Sequence, residues 1–202
     1  MTALAGEGRR AATKAANRAA ILAAARELFS IHGYDAVSVR DIVRRTELAS
    51  GTFYNYFPDK ASIFRALVEE TSAEARRRVR AARHGPDGFV MGGFGALFAF
   101  IASDPGTFAF LRRNLGTIRE RFGDAFLPAG LAELEDDVRE AIASGELPPV
   151  DAGYCARAMF AVGLELGHEL LERDPPDVEG ATRFAAALFT AGLQPAAAAA
   201  LG

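Results

Sequence analysis

What most constrains this chain is a missing pattern. No stretch alternates apolar and polar residues with β-branched side chains at period two, and Ala, Leu, Glu and Arg dominate nearly every segment. Side chains of that kind lose little freedom in a helix, so the local preference is helical almost throughout. Half of the 202 residues are hydrophobic and 24% are charged, a balance that suits a folded protein with a sizeable core. The expected fold class is all-α, with about nine helices.

Punctuation gives the order of those helices. The first is expected from about Lys14 to His32, with Ile21, Ala25, Leu28 and Phe29 on one face and Gly33 as its stop. A short helix starts at Ser38, which stands at capping-box spacing from Asp41, and turns Ile42 and Val43 inward. A turn around Thr46 to Leu48 leads into a third helix ending near Phe57. Pro58-Asp59 opens a long fourth helix to about Arg83, with Ile63, Phe64, Leu67 and Val68 packing its start. Later helices are expected near 87–103, 105–115, 118–144, 149–172 and 177–193, the third with a break near Pro128. Pro195 and the run Ala196 to Ala200 form a low-complexity tail. The longest uncharged run, Gly88 to Ser103, falls short of the roughly 20 residues a membrane span needs, so it reads as a buried helix.

Charge is unevenly divided. The chain carries −3 overall, but residues 1–83 carry +6 and residues 84–202 carry −9. A basic first part suits a polyanionic partner, while the cluster from Arg76 to Arg83 offers a bland explanation of the same excess. A single cysteine, Cys155, excludes an internal disulfide and a Cys-based zinc site. No apolar leader is visible at the N-terminus, so the expected setting is cytoplasmic. The nucleotide, hydrolase and zinc-protease motifs are absent, and His32, His84 and His168 lie far apart in sequence. No enzymatic role, cofactor or metal is expected. Glu133, Glu135, Asp136 and Asp137 read as a solvated helix face.

Two short helices joined by a tight turn, with a longer helix in front, make a helix-turn-helix arrangement, whose second helix enters the major groove of DNA. Here that segment is Ala49-Ser50-Gly51-Thr52-Phe53-Tyr54-Asn55-Tyr56-Phe57. Small residues lead, which permits close approach to base edges. Tyr54, Asn55 and then Lys60 suit phosphate oxygens, and Lys60 stands in the first turn of a helix, where free N–H groups favour an anion. Arg9, Arg10 and Lys14 lie ahead of the first helix, either as a DNA-contacting arm or as a solvated tail.

Residues 14–68 resemble the TetR-type bacterial transcriptional regulators. The likeness rests on Phe29, Gly33-Tyr34, Val39-Arg40-Asp41-Ile42 and the string Gly51-Thr52-Phe53-Tyr54-Asn55-Tyr56-Phe57-Pro58-Asp59-Lys60. The resemblance implies that Ser38 caps its helix and touches a phosphate, and that Arg40 reaches a base edge or a phosphate. It implies further that Ser50 and Gly51 lie against bases, and that Thr52, Tyr54, Asn55 and Lys60 grip the DNA backbone. Phe53 and Phe57 look like core residues. The chain departs from the family at Glu47, where glycine is usual, and at Ala49, where a capping hydroxyl is usual; each change is expected to cost about 1 kcal/mol. The domains expected are residues 1–58, a helix-turn-helix domain with an N-terminal arm; 59–83, a connecting helix; and 84–202, a ligand-binding and dimerisation domain.

The resemblance also implies a homodimer on a palindromic double-stranded operator, paired through the last two long helices. Ala158, Ala161 and Glu165 recur at helical spacing with Tyr154, as do Phe184 and Leu188 with Ala191; an intramolecular core is the alternative. Eight of the 15 phenylalanines, at 89, 94, 98, 100, 108, 110, 122 and 126, are either core or the lining of an apolar pocket. The stretch Leu97 to Phe108 with Leu111-Arg112-Arg113 is similar to the repressors of unsaturated fatty acid synthesis, which implies a long-chain acyl-CoA effector. Candidate ligand residues are therefore Phe94, Phe98, Phe108, Arg112, Arg113, Phe122 and His168, with guanidinium groups meeting phosphate. The alternatives are a repressor of an efflux pump that senses hydrophobic toxic compounds, and a ligand carrier that does not read DNA.

Overall fold

The computed structural model describes residues 2–46, 48–122 and 126–200, with side chains for 10–46, 48–49, 51–118, 120–121 and 130–192. Among the described residues ten helices follow one another: α1 (Thr2–His32), α2 (Val39–Arg45), α3 (Ser50–Phe53), α4 (Lys60–Arg83), α5 (Phe89–Ser103), α6 (Pro105–Arg113), α7 (Leu115–Phe122), α8 (Phe126–Ala143), α9 (Ala152–Leu171) and α10 (Val178–Ala200). No strand occurs among the described residues, and the all-α expectation holds.

Three boundaries differ from those expected. Helix α1 begins at Thr2, so the arm ahead of Lys14 is itself helical, as its alanines favour. The third helix is a single turn that gives way to non-helical turns at Tyr54–Tyr56. Its N-cap is Ala49, which supplies no side-chain hydrogen bond, and Thr46 Oγ1 donates back to Val43 O at 2.9 Å and so does not compensate. The helix expected at 118–144 is two, α7 and α8, with Pro128 in the first turn of α8, where a missing N–H is tolerated. Glu47 lies outside the described residues.

The chain forms two compact units. The first comprises residues 1–71 together with 106–118, and the second residues 72–105 and 119–202. In the first, Ile21, Ala25 and Phe29 of α1, Ile42 of α2, Phe53 of α3 and Ile63, Phe64, Leu67 and Val68 of α4 are all buried. Gly33 ends α1 at φ +81°, a conformation that favours glycine, with its N–H on Phe29 O at 3.1 Å. Helix α6 completes this core: Phe110 lies 6.4 Å from Phe29 and 5.7 Å from Phe64 between ring centroids. Asn114, only 1% exposed, spends its amide on backbone. Its Oδ1 accepts from Tyr34 N at 2.8 Å, while its Nδ2 donates to Phe29 O at 3.1 Å and Phe110 O at 2.8 Å.

In the second unit α5 packs on α9 and α10, and α8 on α9. Phe94 stacks on Phe98 at 5.8 Å and on Phe189 at 5.5 Å. Gly92 permits α5 to meet the end of α4, since a Cβ there would stand 2.2 Å from Ala82 O. No helix among the described residues is long and apolar enough to cross a membrane.

Candidate nucleic-acid interface and effector cavity

The interface is built on a cap. Ser38 is the N-cap of α2, its Oγ accepting from Asp41 N at 3.3 Å while Asp41 Oδ2 accepts from Ser38 N at 2.9 Å. The Ser38 hydroxyl also donates to Asp41 Oδ2 at 2.5 Å. These bonds from Ser38, side chain first and backbone second, hold the Asp41 carboxyl below its usual pKa. Arg40 stands beside this cap and is exposed.

After α2 the chain presents α3 and the turns that follow. Phe53 and Phe57 are buried, as expected, and fix the segment from beneath. Between them Tyr54 is 57% exposed, its ring edge-on to Phe53 at 5.4 Å, and Asn55 is exposed. Thr52 is half-buried. The Ser50 side chain lies outside the described residues. Among the described residues a Cβ added at Gly51 would meet nothing within 4 Å, so no described neighbour requires glycine there. Tyr56 is tied to α1, its hydroxyl accepting from Asn17 Nδ2 at 3.0 Å.

Lys60 is placed differently from a free phosphate ligand. Its ammonium donates to Tyr34 O and Val37 O, each at 2.8 Å, and sits 4.0 Å from the centroid of the Tyr34 ring. It closes the loop between α1 and α2 from within.

The second unit contains an apolar cavity of about 160 Å³, whose walls include Val79 of α4, Phe94 and Leu97 of α5, Leu134 of α8, and Met159 and Phe160 of α9. One side is charged. Arg83 Nη1 meets Asp137 Oδ2 at 2.8 Å, and Arg80 Nε lies 3.6 Å from the other oxygen. Asp137 is 3% exposed, which corrects its reading as a solvated carboxylate. Burial lowers the pKa of Arg83, opposed by the hydrogen bond and charge of Asp137. A guanidinium starts so high that it stays protonated.

Of the expected ligand residues whose side chains are described, only Phe94 lines this cavity. Phe98 is buried behind it. Phe108, Arg112 and Arg113 belong to α6 in the first unit, Phe108 buried and both arginines exposed at a polar cleft with His32 and Asp35. His168 lies on α9, its Nδ1 3.9 Å from Glu172 Oε1, and the Phe122 side chain lies outside the described residues. Asp137 was legible: with Leu134, Val138 and Ala141 it stands at the spacing of one helix face, and all four are buried. Arg83 and Asn114 carried no such signal.

The candidate pairing residues are on the surface. Ala158, Ala161 and Glu165 of α9 are exposed, Phe184 of α10 is 60% exposed, Leu188 is 46% exposed, and Tyr154 is 79% exposed. An intramolecular core does not account for them. Gly163 serves packing within the chain instead, since a Cβ there would stand 2.7 Å from Leu97 Cδ2.

A short capped helix, a tight turn, a one-turn helix with exposed polar residues and a buried support from α1 define a helix-turn-helix protein. Residues 21–67 match the family described as "Bacterial regulatory proteins, tetR family". Among curated relatives, the uncharacterized HTH-type regulator YvdT of Bacillus subtilis is 36% identical over 69 residues, 34% of this chain and 36% of that protein. The HTH-type repressor AcnR of Corynebacterium glutamicum is 38% identical over 57 residues, 28% of this chain and 30% of its own. The chain thus spans about a third of the curated relatives it matches. Among solved structures, the fatty acid degradation regulator FadR of Bacillus halodurans aligns with a TM-score of 0.73 at 18% identity, covering 85% of this chain and 93% of that one. GusR of Salmonella enterica aligns with a TM-score of 0.65 at 22% identity, covering 86% and 93%. At such identities the likeness is one of fold.

Proposed function

We propose that this chain is a ligand-responsive transcriptional repressor that binds double-stranded DNA as a homodimer. The observation that carries the reading is the exposed edge of the recognition segment. Gly51 occupies a helical position at a cost of about 1 kcal/mol against alanine, yet none of the described neighbours needs it. An outside surface that approaches closely does need it, and base edges are such a surface. Thr52, Tyr54 and Asn55 follow it with donors suited to phosphate or base, exposed Arg40 on α2 adds a guanidinium, and Ser38 presents the α2 N-terminus.

One head reads few base pairs, so pairing supplies affinity, and a palindrome mirrors the two-fold axis. The exposed apolar face of α9 and α10, with Phe184 and Leu188, is the surface assigned to the second copy. The effector enters the cavity of the second unit. Because α4 both starts in the core beside the recognition segment and lines that cavity, it is the element that carries the response. The effector must bind the two states with different affinity for DNA binding to change.

The apolar lining favours an apolar effector. A cavity of this size compares with one that holds a benzene-sized molecule, about 150 Å³, so a long acyl chain requires it to widen. A compact hydrophobic compound fits the volume better, whereas an acyl-CoA draws support from the fatty acid regulator whose fold this chain shares. Selection of genomic fragments by the purified protein, with and without a long-chain acyl-CoA, separates these readings. Recovery of a short palindrome supports the regulator. A change in yield with acyl-CoA supports the lipid effector, and indifference supports the compact one. No enrichment in either condition overturns DNA recognition and leaves the carrier.

A further inference from the structure

The stripe of α1 that feeds the core does not end where the core ends. Ile21 and Ala25 are buried, and from one to three turns before Ile21 the same face carries Asn17, Lys14, Thr13 and Arg10 at helical spacing. There the apolar stripe becomes a cationic one. Asn17 fixes its orientation by donating to the Tyr56 hydroxyl at 3.0 Å. Arg10, Thr13 and Lys14 then line one cleft with Asn55 and Tyr56, the residues that end the recognition segment.

The chemistry of that cleft is one-sided. Among the described residues its lining holds two cations, a threonine hydroxyl, an amide and a phenol, and no carboxylate. Arg10 and Lys14 are exposed, and neither forms a salt bridge among the described residues. Arg18, a turn closer to the core, shows the contrast: its Nη2 pairs with Glu70 Oε1 at 2.7 Å, and its guanidinium lies 5.5 Å from the centroid of the Phe57 ring. Two exposed cations beside neutral donors match a doubly strung row of phosphodiester oxygens.

We infer that the cleft of Arg10, Lys14, Asn55 and Tyr56 is a second anchoring site for the DNA backbone, which grips phosphates flanking the bases under Gly51. The inference rests on the DNA-binding reading above. The helical extension of α1 thus lengthens the footprint of each head without adding base readout, since phosphate contacts position and do not specify.

The test is the salt dependence of affinity for a mixed-sequence duplex of about 30 base pairs and for a fragment recovered by genomic selection. Each neutralised phosphate contributes about 0.9 to the slope of log K against log salt, so R10A/K14A in a dimer is expected to flatten that slope by about 3 to 4. Both duplexes should weaken by a similar factor. R10K/K14R should retain the wild-type slope, and R139A/R173A, which removes two charges from the second unit, should leave it unchanged. Unfolding midpoints of all variants are expected to match, because the substituted side chains are exposed or surface-paired. A wild-type slope in R10A/K14A overturns the anchoring site while DNA binding stands. Absence of salt-dependent binding by the wild-type protein overturns both.

Discussion

Lys60 and Tyr34 hold each other across 26 residues of sequence: the ammonium lies 2.8 Å from the tyrosine carbonyl oxygen and 4.0 Å from its ring centroid. The carbonyl of Val37 takes a second bond from the same nitrogen. Hydrogen bonds to charged groups contribute about 1.5–3 kcal/mol each where water is partly excluded. K60A is therefore expected to lower the unfolding free energy in urea by about 1–3 kcal/mol as well as to weaken DNA binding. K60R should restore neither fully, because a planar fork cannot reproduce the two bonds from one tetrahedral nitrogen. Weakened DNA binding with unchanged stability would show that Lys60 acts as a phosphate ligand alone.

Asn114 is the corresponding clamp from α6. Replacing it with leucine leaves Tyr34 N and the carbonyls of Phe29 and Phe110 without their side-chain partner, in a place water does not reach. N114L should cost about 2–4 kcal/mol in chemical denaturation. N114D should also destabilise, since a carboxylate cannot donate to the two carbonyls. A loss below about 0.5 kcal/mol in both would mean that the α1 end holds its shape without the clamp.

The Arg83–Asp137 pair lies at the charged side of the cavity, and each partner is costly alone. D137A strands a guanidinium that is 14% exposed, and breaking such a pair costs about 3–5 kcal/mol. The double variant R83M/D137L is expected to recover most of that loss. Urea midpoints of the three proteins decide the matter, and equal destabilisation by the single and double changes would contradict it.

A charge on the exposed face of α10 should separate the two copies. F184E/L188E is expected to sediment as a monomer where the wild-type protein sediments as a dimer, with its helical circular dichroism kept. An unchanged dimer would move the interface elsewhere.

Acid should act on the α2 cap. The folded pKa of Asp41 lies below its ordinary 3.8, so its contribution to stability is present above that value and fades as pH falls through the folded pKa. In S38A the largest cause of the shift is gone, and carboxyl NMR titration should find the Asp41 midpoint raised toward 3.8.

Much of this architecture was legible because the core residues repeat at helical spacing. Phe29, Phe53, Phe57 and the Ile63–Val68 stripe needed only periodicity and the capping signature at Ser38 to be placed. Exposure of Phe184 and Leu188 followed from the same spacing, as they fall off the face that holds Ala185 and Phe189. What spacing could not supply was partnership between distant segments. The two carbonyls that Lys60 meets lie 26 and 23 residues away and leave no mark on its sequence neighbours. Phe108, Arg112 and Arg113 lie near Phe94 and Phe98 in sequence, whereas α6 belongs to the first unit and Phe94 and Phe98 to the second. The length of α3 was overestimated because Ala49 supplies no cap and Gly51 weakens the next position.

The division of the chain also orders its birth on the ribosome. Residues 1–71 carry the recognition segment, yet Phe110 and Asn114 arrive only with residues 106–118. The first unit therefore cannot close its core until Ile118 has left the exit tunnel, by which time all of α4, α5 and α6 have emerged. A gene fragment cut after residue 71 would yield a head with an open seam, and transplanting this head onto another protein requires α6 to travel with it.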